Sequence, residues 1–171
     1  MNGNKKEPPH SPVVSNSGPL IALATIGKFD LLKNLFGQVY IPQAVYDEVV
    51  VYGEGEPGAE ETEKAEWIET LQVEDRLAVN LLREEMDAGE SEAIVLAQEL
   101  NAAYVLIDEA VARRKARLIG LRMTGTLGIL LMAKEAGLIP AVRPVLDELR
   151  QTDFRISSRV YREILVKAGE V

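Results

Sequence analysis

Tyr104-Val105-Leu106-Ile107-Asp108-Glu109, the basic stretch on to Ile119, and then Leu121-Arg122-Met123-Thr124-Gly125-Thr126 decide the fold. Tyr104–Ile107 is a short apolar run of the kind that forms a strand buried on both faces. Glu109–Ile119 has the spacing of an amphipathic helix, and Leu121–Met123 reads as a second strand. A strand, a helix and a strand in succession make a parallel pair joined by a right-handed crossover.

The pattern extends outward from this unit. Upstream, Glu90–Leu100 puts Ala93, Ile94, Ala97 and Leu100 on one helical stripe, and Asp87-Ala88-Gly89 separates it from a helix over Arg76–Glu85. Trp67–Val73 reads as a strand, preceded by an acidic helix and by the exposed loop Gly53-Glu54-Gly55-Glu56-Pro57-Gly58, the expected flexible point. Pro42 opens a helix through about Tyr52, after a strand at Val39–Ile41. Phe29–Phe36 and Leu20–Ile26 are short helices, the latter with Pro19 at its first position, and Val13–Ser15 is the first strand. Downstream lie helices at Thr126–Glu135, Val142–Arg150 and Ser157–Lys167. Strands alternating with helices imply a three-layer α/β/α domain with a central, mostly parallel sheet. One such domain over residues 13–171 accounts for the chain, behind a flexible polar leader at residues 1–12.

Composition narrows the chemistry. Of 171 residues 47% are apolar, enough for a core, and there is no cysteine, which excludes disulfides and thiolate metal sites. The single histidine, His10, lies in the leader, so imidazole catalysis is not expected. Neither a signal peptide nor a membrane-spanning run is visible, and a cytoplasmic protein is expected. The net charge of −8 opposes nonspecific nucleic-acid binding. The charge is uneven, however, because acids crowd between Asp47 and Glu92 while most basic residues follow position 110.

In an open parallel sheet, ligands bind beyond the carboxyl ends of the strands. Three strands end there in polar residues: Asn16 with Ser15 and Ser17, Asp108 with Glu109, and Thr124-Gly125-Thr126. Each has an ordinary explanation as a helix N-cap, but all three fall on one edge. Glu48 is spaced to lie along the apolar stripe of its helix, whereas Asp47 points elsewhere. Glu90 and Glu92 sit in a first helical turn, where the macrodipole favours acids. Arg113, Arg114, Lys115 and Arg117 share one helix, either as a solvated face or as a contact to a phosphate backbone.

The order of these segments resembles a known family. Val13-Val14-Ser15-Asn16-Ser17-Gly18-Pro19-Leu20-Ile21, then Ile41-Pro42 with Val45-Tyr46-Asp47-Glu48, looks like the opening of a PIN domain. Gly89-Glu90-Ser91-Glu92-Ala93-Ile94 and Val105-Leu106-Ile107-Asp108-Glu109 resemble its later acidic segments. Thr124-Gly125-Thr126-Leu127-Gly128 resembles a sparsely characterised prokaryotic branch of PIN-like proteins. The resemblance runs from about Val13 to Leu165. It implies a metal-dependent ribonuclease, of which the VapC-type toxins of toxin–antitoxin pairs are examples, with acids holding Mg²⁺ or Mn²⁺. Carried over by position, the metal site falls on Asn16, Glu48, Glu90 and Asp108, with Glu92 as the alternative third ligand. The same carry-over makes Glu48, Glu90 and Asp108 catalytic and puts Thr124 or Thr126 on phosphate or on a metal-bound water. Arg113 and Arg114 would then meet the RNA backbone.

Hard divalent cations take oxygen ligands, which suits a chain with almost no histidine. Asn16 departs from the family pattern, which has aspartate there. The loss of one charge at short range weakens cation binding by about 1 kcal/mol or more. The leading expectation is therefore a nuclease acting on single-stranded RNA, with an antitoxin and a second copy of itself as partners. The alternative is a catalytically weak PIN-like module that binds RNA or a partner protein. Nucleotide binding is not supported, since no Gly-x-Gly-x-x-Gly follows the first strand and no phosphate-loop lysine motif occurs.

Overall fold

The computed structural model describes residues 12–171; His10 and the rest of the expected leader up to Ser11 lie outside the described residues. Pro12 already belongs to the fold, because its carbonyl accepts from Ala103 N at 2.8 Å. Five strands, β1 (Val13–Ser15), β2 (Val39–Pro42), β3 (Ile68–Leu71), β4 (Tyr104–Leu106) and β5 (Met123–Thr124), form one sheet in the order β3-β2-β1-β4-β5. Every pairing is parallel. The last strand lies further along than Leu121–Met123, because its ladder is set by Ile107 N donating to Thr124 O at 2.9 Å.

Alternation along the central strands divides the interior into two cores. Val13 and Leu106 face one side, and Val14, Val105 and Ile107 face the other. On the first side pack α1 (Ser17–Thr25), α2 (Leu31–Phe36), α8 (Thr126–Glu135), α9 (Arg143–Arg150) and α10 (Ser158–Lys167). On the second lie α5 (Arg76–Leu82), α6 (Ala88–Glu99) and α7 (Ala110–Leu118). These are the three layers expected from the sequence.

The helices are not held equally. α6 buries Ile94, Val95 and Leu96, each worth about 1.5–3 kcal/mol relative to exposure. α7 buries Ala112 and Ala116, small side chains that bring the helix close but hide little apolar area. Arg114 and Arg117 are left exposed on its outer face, while Arg113 is half-buried.

The helix expected over Pro42–Tyr52 is composite. α3 (Gln43–Tyr46) passes into a π-helical segment, Asp47–Val51, closed by Tyr52 N donating to Asp47 O at 2.8 Å. Such wide turns are rare and are frequent at functional sites. The following segment, Gly53–Gly58, is a series of turns leading into α4 (Ala59–Lys64).

Candidate metal centre

From β1 the sheet grows outward through β2 to β3, and the chain then returns to place β4 on the other side of β1. The direction of winding thus reverses between β1 and β4, and the crevice beyond the carboxyl ends at such a reversal is where open α/β sheets bind ligands. Ser15 pairs with Leu106, and Asn16 N donates to Leu106 O at 2.9 Å. Asn16 and Asp108 therefore emerge side by side at the mouth of this crevice.

Capping does not explain them. Helix α1 begins at Ser17, two residues before Pro19, which makes Asn16 its N-cap residue, yet the side chain makes no capping bond. Asn16 is 3% exposed, and its Oδ1 has no hydrogen-bond partner. Leaving a buried acceptor unmade costs about 1–3 kcal/mol, so this oxygen is suited to accept from a water or to face a cation. Glu109, not Asp108, occupies the N-cap of α7, and Gly125, not Thr124, that of α8.

Glu48 comes to Asn16 from the π-helical segment. A Cβ on Gly89 would stand 3.0 Å from Glu48 Oε2 and 3.4 Å from Asn16 Oδ1, so the bare glycine gives both oxygens one shared space. Glu48 is exposed to solvent, with its Oε2 lying toward Gly89. Burial pushes its pKa up, the Ser17 hydroxyl pulls it back, and the charge of Asp87 raises it further.

Asp108 is gripped from the opposite side. Its Oδ1 accepts from Thr126 N and its Oδ2 from the Thr126 hydroxyl, each at 2.7 Å. Burial raises its pKa, while the two bonds from Thr126 and the charge of Arg113 work against that rise. Gly18 closes on it from α1, where a Cβ would lie 3.1 Å from Asp108 Oδ2.

The third acidic segment splits. Glu90 forms a capping box with Asp87: Glu90 N donates to Asp87 Oδ1 at 2.8 Å, and Asp87 N to Glu90 Oε2 at 3.2 Å. Burial raises the pKa of Glu90, with Asp87, Glu109 and Glu48 adding to it and the Asp87 backbone opposing. Glu92 is buried and turned elsewhere, accepting from Ala44 N and pairing with Arg76 Nη1, both at 3.2 Å. It ties the start of α3 to α6 and, through α3, supports the segment that carries Glu48.

The hydroxyl and cationic candidates are also divided. Thr126 is fully buried and spends its hydroxyl on Asp108, whereas Thr124 Oγ1 lies over Gly128. Arg113 Nη1 donates to Ile107 O at 3.0 Å, and Arg114 is exposed on the same helix. Lys115 is paired with Glu85.

Sequence reasoning named Ser17 beside Asn16 but gave no part in the site to Asp87 or Gly89. Asp87-x-x-Glu90 has the spacing of a capping box, which could have flagged the pair. Nothing local signals that Gly89 clears space for residues from two other segments.

Among the described residues, no three Asp, Glu or His side chains converge closely enough to hold a metal ion. A dense all-carboxylate cage is therefore not what this edge offers. An unpartnered amide oxygen, Glu48 beside it and Asp108 nearby fit a hard cation that keeps several waters, as Mg²⁺ does when bound by one or two carboxylates. Beside Glu48 a groove of about 550 Å³ runs past Ile21, Glu56, Asp153 and Phe154. A larger hollow of about 700 Å³, next to Phe29 and Trp67, holds none of the candidate residues.

The fold is thus a three-layer α/β/α arrangement with an all-parallel sheet and acids at its winding reversal. A family model described as a PIN domain matches residues 12–170, and the chain belongs to the PIN-domain family. No curated protein matches it. No helix among the described residues is long and apolar enough to cross a membrane.

Proposed function

We propose that this chain is a Mg²⁺- or Mn²⁺-dependent ribonuclease that hydrolyses phosphodiesters in single-stranded RNA, as the cytoplasmic toxin of a VapC-like toxin–antitoxin pair. The observation that carries the reading is the buried, unpartnered Asn16 Oδ1 sharing one space with Glu48 at the winding reversal. Asn16 and Glu48 would hold the cation, with Asp108 across from them and Glu90 at the rim. When bound, the ion would lower the pKa of a water and stabilise charge on the attacked phosphate. Arg114 supplies an exposed cation for the RNA backbone and Arg113 a charge beside Asp108, while Thr124 lies at the same sheet edge.

A second reading, a module that binds RNA or a partner without turnover, is favoured by two observations. The position that carries aspartate in the family pattern is an amide here, and among the described residues three acids do not close on one point. A metal titration of RNA cleavage separates the two. Asn16→Asp restores a charge and should raise cleavage at limiting Mn²⁺, with the gain shrinking at saturation. Glu48→Gln and Asp108→Asn should be inactive. RNA binding with no cleavage at any Mn²⁺ concentration would establish the binding module instead.

A further inference from the structure

The run Thr124-Gly125-Thr126-Leu127-Gly128 is not needed to make a strand–helix turn, since many sequences do that. Its particular residues are explained by what they touch. Thr126 N and the Thr126 hydroxyl bond the two separate oxygens of Asp108, each at 2.7 Å, so one residue fixes both ends of the carboxylate. Gly125 has ordinary extended backbone, φ −112°, so its conformation does not require glycine. Space does: a Cβ there would stand 2.6 Å from Asp108 Oδ1, 2.8 Å from Arg113 Nη1 and 3.1 Å from Ile107 O. Gly128 plays the same part for Thr124, whose Oγ1 would lie 2.1 Å from an added Cβ. From the other side, Arg113 Nη1 bonds the Ile107 carbonyl at 3.0 Å and pins the backbone that carries Asp108.

We propose that Thr126, admitted by Gly125 and backed by Arg113, is a positioning residue that orients the Asp108 carboxylate toward the cation site. Thr126 is therefore not a substrate contact: it is fully buried and its donors face Asp108. The inference rests on the metal-dependent reading above, and it assigns to this loop the work of holding a ligand in one orientation. Two bonds to separate oxygens stop the carboxylate from rotating, and each oxygen keeps a lone pair for another partner. Groups that orient metal ligands in this way typically change affinity about 10- to 100-fold when removed.

The test is Mn²⁺ affinity, measured by calorimetry on the full chain without RNA, for wild type, Thr126→Val, Thr126→Ser, Gly125→Ala and Asp108→Asn. Thr126→Val keeps shape but loses the hydroxyl, and should weaken Mn²⁺ binding about tenfold or more. Thr126→Ser restores the hydroxyl and should recover most of the affinity. Gly125→Ala keeps Thr126 and displaces Asp108, and should weaken binding as well. Thr126→Val or Gly125→Ala binding Mn²⁺ as wild type does would overturn the proposal, as would equal losses in Thr126→Val and Thr126→Ser. Should Thr126→Val fail to fold, Thr126→Ser and Gly125→Ala decide alone. Absence of Mn²⁺ binding by the wild type is a different result, and would remove the metal-dependent reading itself.

Discussion

Gly89 shows how much a missing side chain can do. It sits in the first turn of α6, buried, and an added Cβ would stand 3.0 Å from Glu48 Oε2 and 3.4 Å from the orphan oxygen of Asn16. Gly→Ala in a helix ordinarily stabilises by about 1 kcal/mol, and here crowding by Glu48 works against that gain. Gly89→Ala should therefore melt within a few degrees of wild type and yet lose most Mn²⁺ affinity, as differential scanning fluorimetry with and without Mn²⁺ would show. Glu48 itself is the clearer case for pH. Its folded pKa is raised, chiefly by burial, so the protonated form is favoured by folding and the related stability is lost as pH rises through that pKa. Metal-free Glu48→Gln should then melt slightly above wild type at pH 8, with the difference closing at pH 4. A Glu48→Gln protein that melts below wild type at pH 8 would contradict this sign. Asn16, Glu48, Glu90 and Asp108 were legible as candidates, through the family resemblance that the order of acidic segments carries. Their separate conditions were not, because the orphaning of Asn16 and the grip on Asp108 depend on residues far away in the chain.

At the scale of elements, most of the fold could be read in advance because its strands are apolar runs and its helices are bounded by Gly and Pro. The errors lie where tertiary hydrogen bonds decide. The Pro42–Tyr52 helix widens after Tyr46, β5 is shifted by its ladder to β4, and Pro12 is drawn out of the leader by Ala103. A further bond set of this kind joins the last helices. The Glu170 carboxylate accepts from Val142 N at 2.7 Å, Arg143 N at 3.0 Å and Lys134 Nζ at 3.0 Å. These bonds, the Arg143 amide first, bring its pKa down to about 2. A depressed carboxylate contributes stability above its unfolded pKa and loses it as pH falls toward the folded value. Glu170→Gln should accordingly lower the melting temperature at pH 7, and the gap should narrow between about pH 4.5 and 2. A gap independent of pH would mean that Glu170 acts through packing alone.

For the whole molecule, the sheet order that creates the crevice also leaves β3 and β5 as its two outer strands. β5 is only two residues long, which offers little for another chain to pair with. β3 is longer, Ile68–Leu71, and carries exposed Glu69 bonded to Gln38 Nε2 at 3.2 Å. A charge on an outer strand discourages a second copy from adding its own strand there, because carboxylates of the two copies would be brought together with little water. Any pairing of two copies is thus steered to the helical faces, which leaves the fifth strand as the end of the sheet. Glu69→Val removes that safeguard while improving strand propensity, and should hasten aggregation on heating as followed by light scattering. The acid at position 69 takes no part in the crevice, but it keeps the sheet finite, and a sheet of fixed width is what keeps β1 at its centre with the crevice beside it.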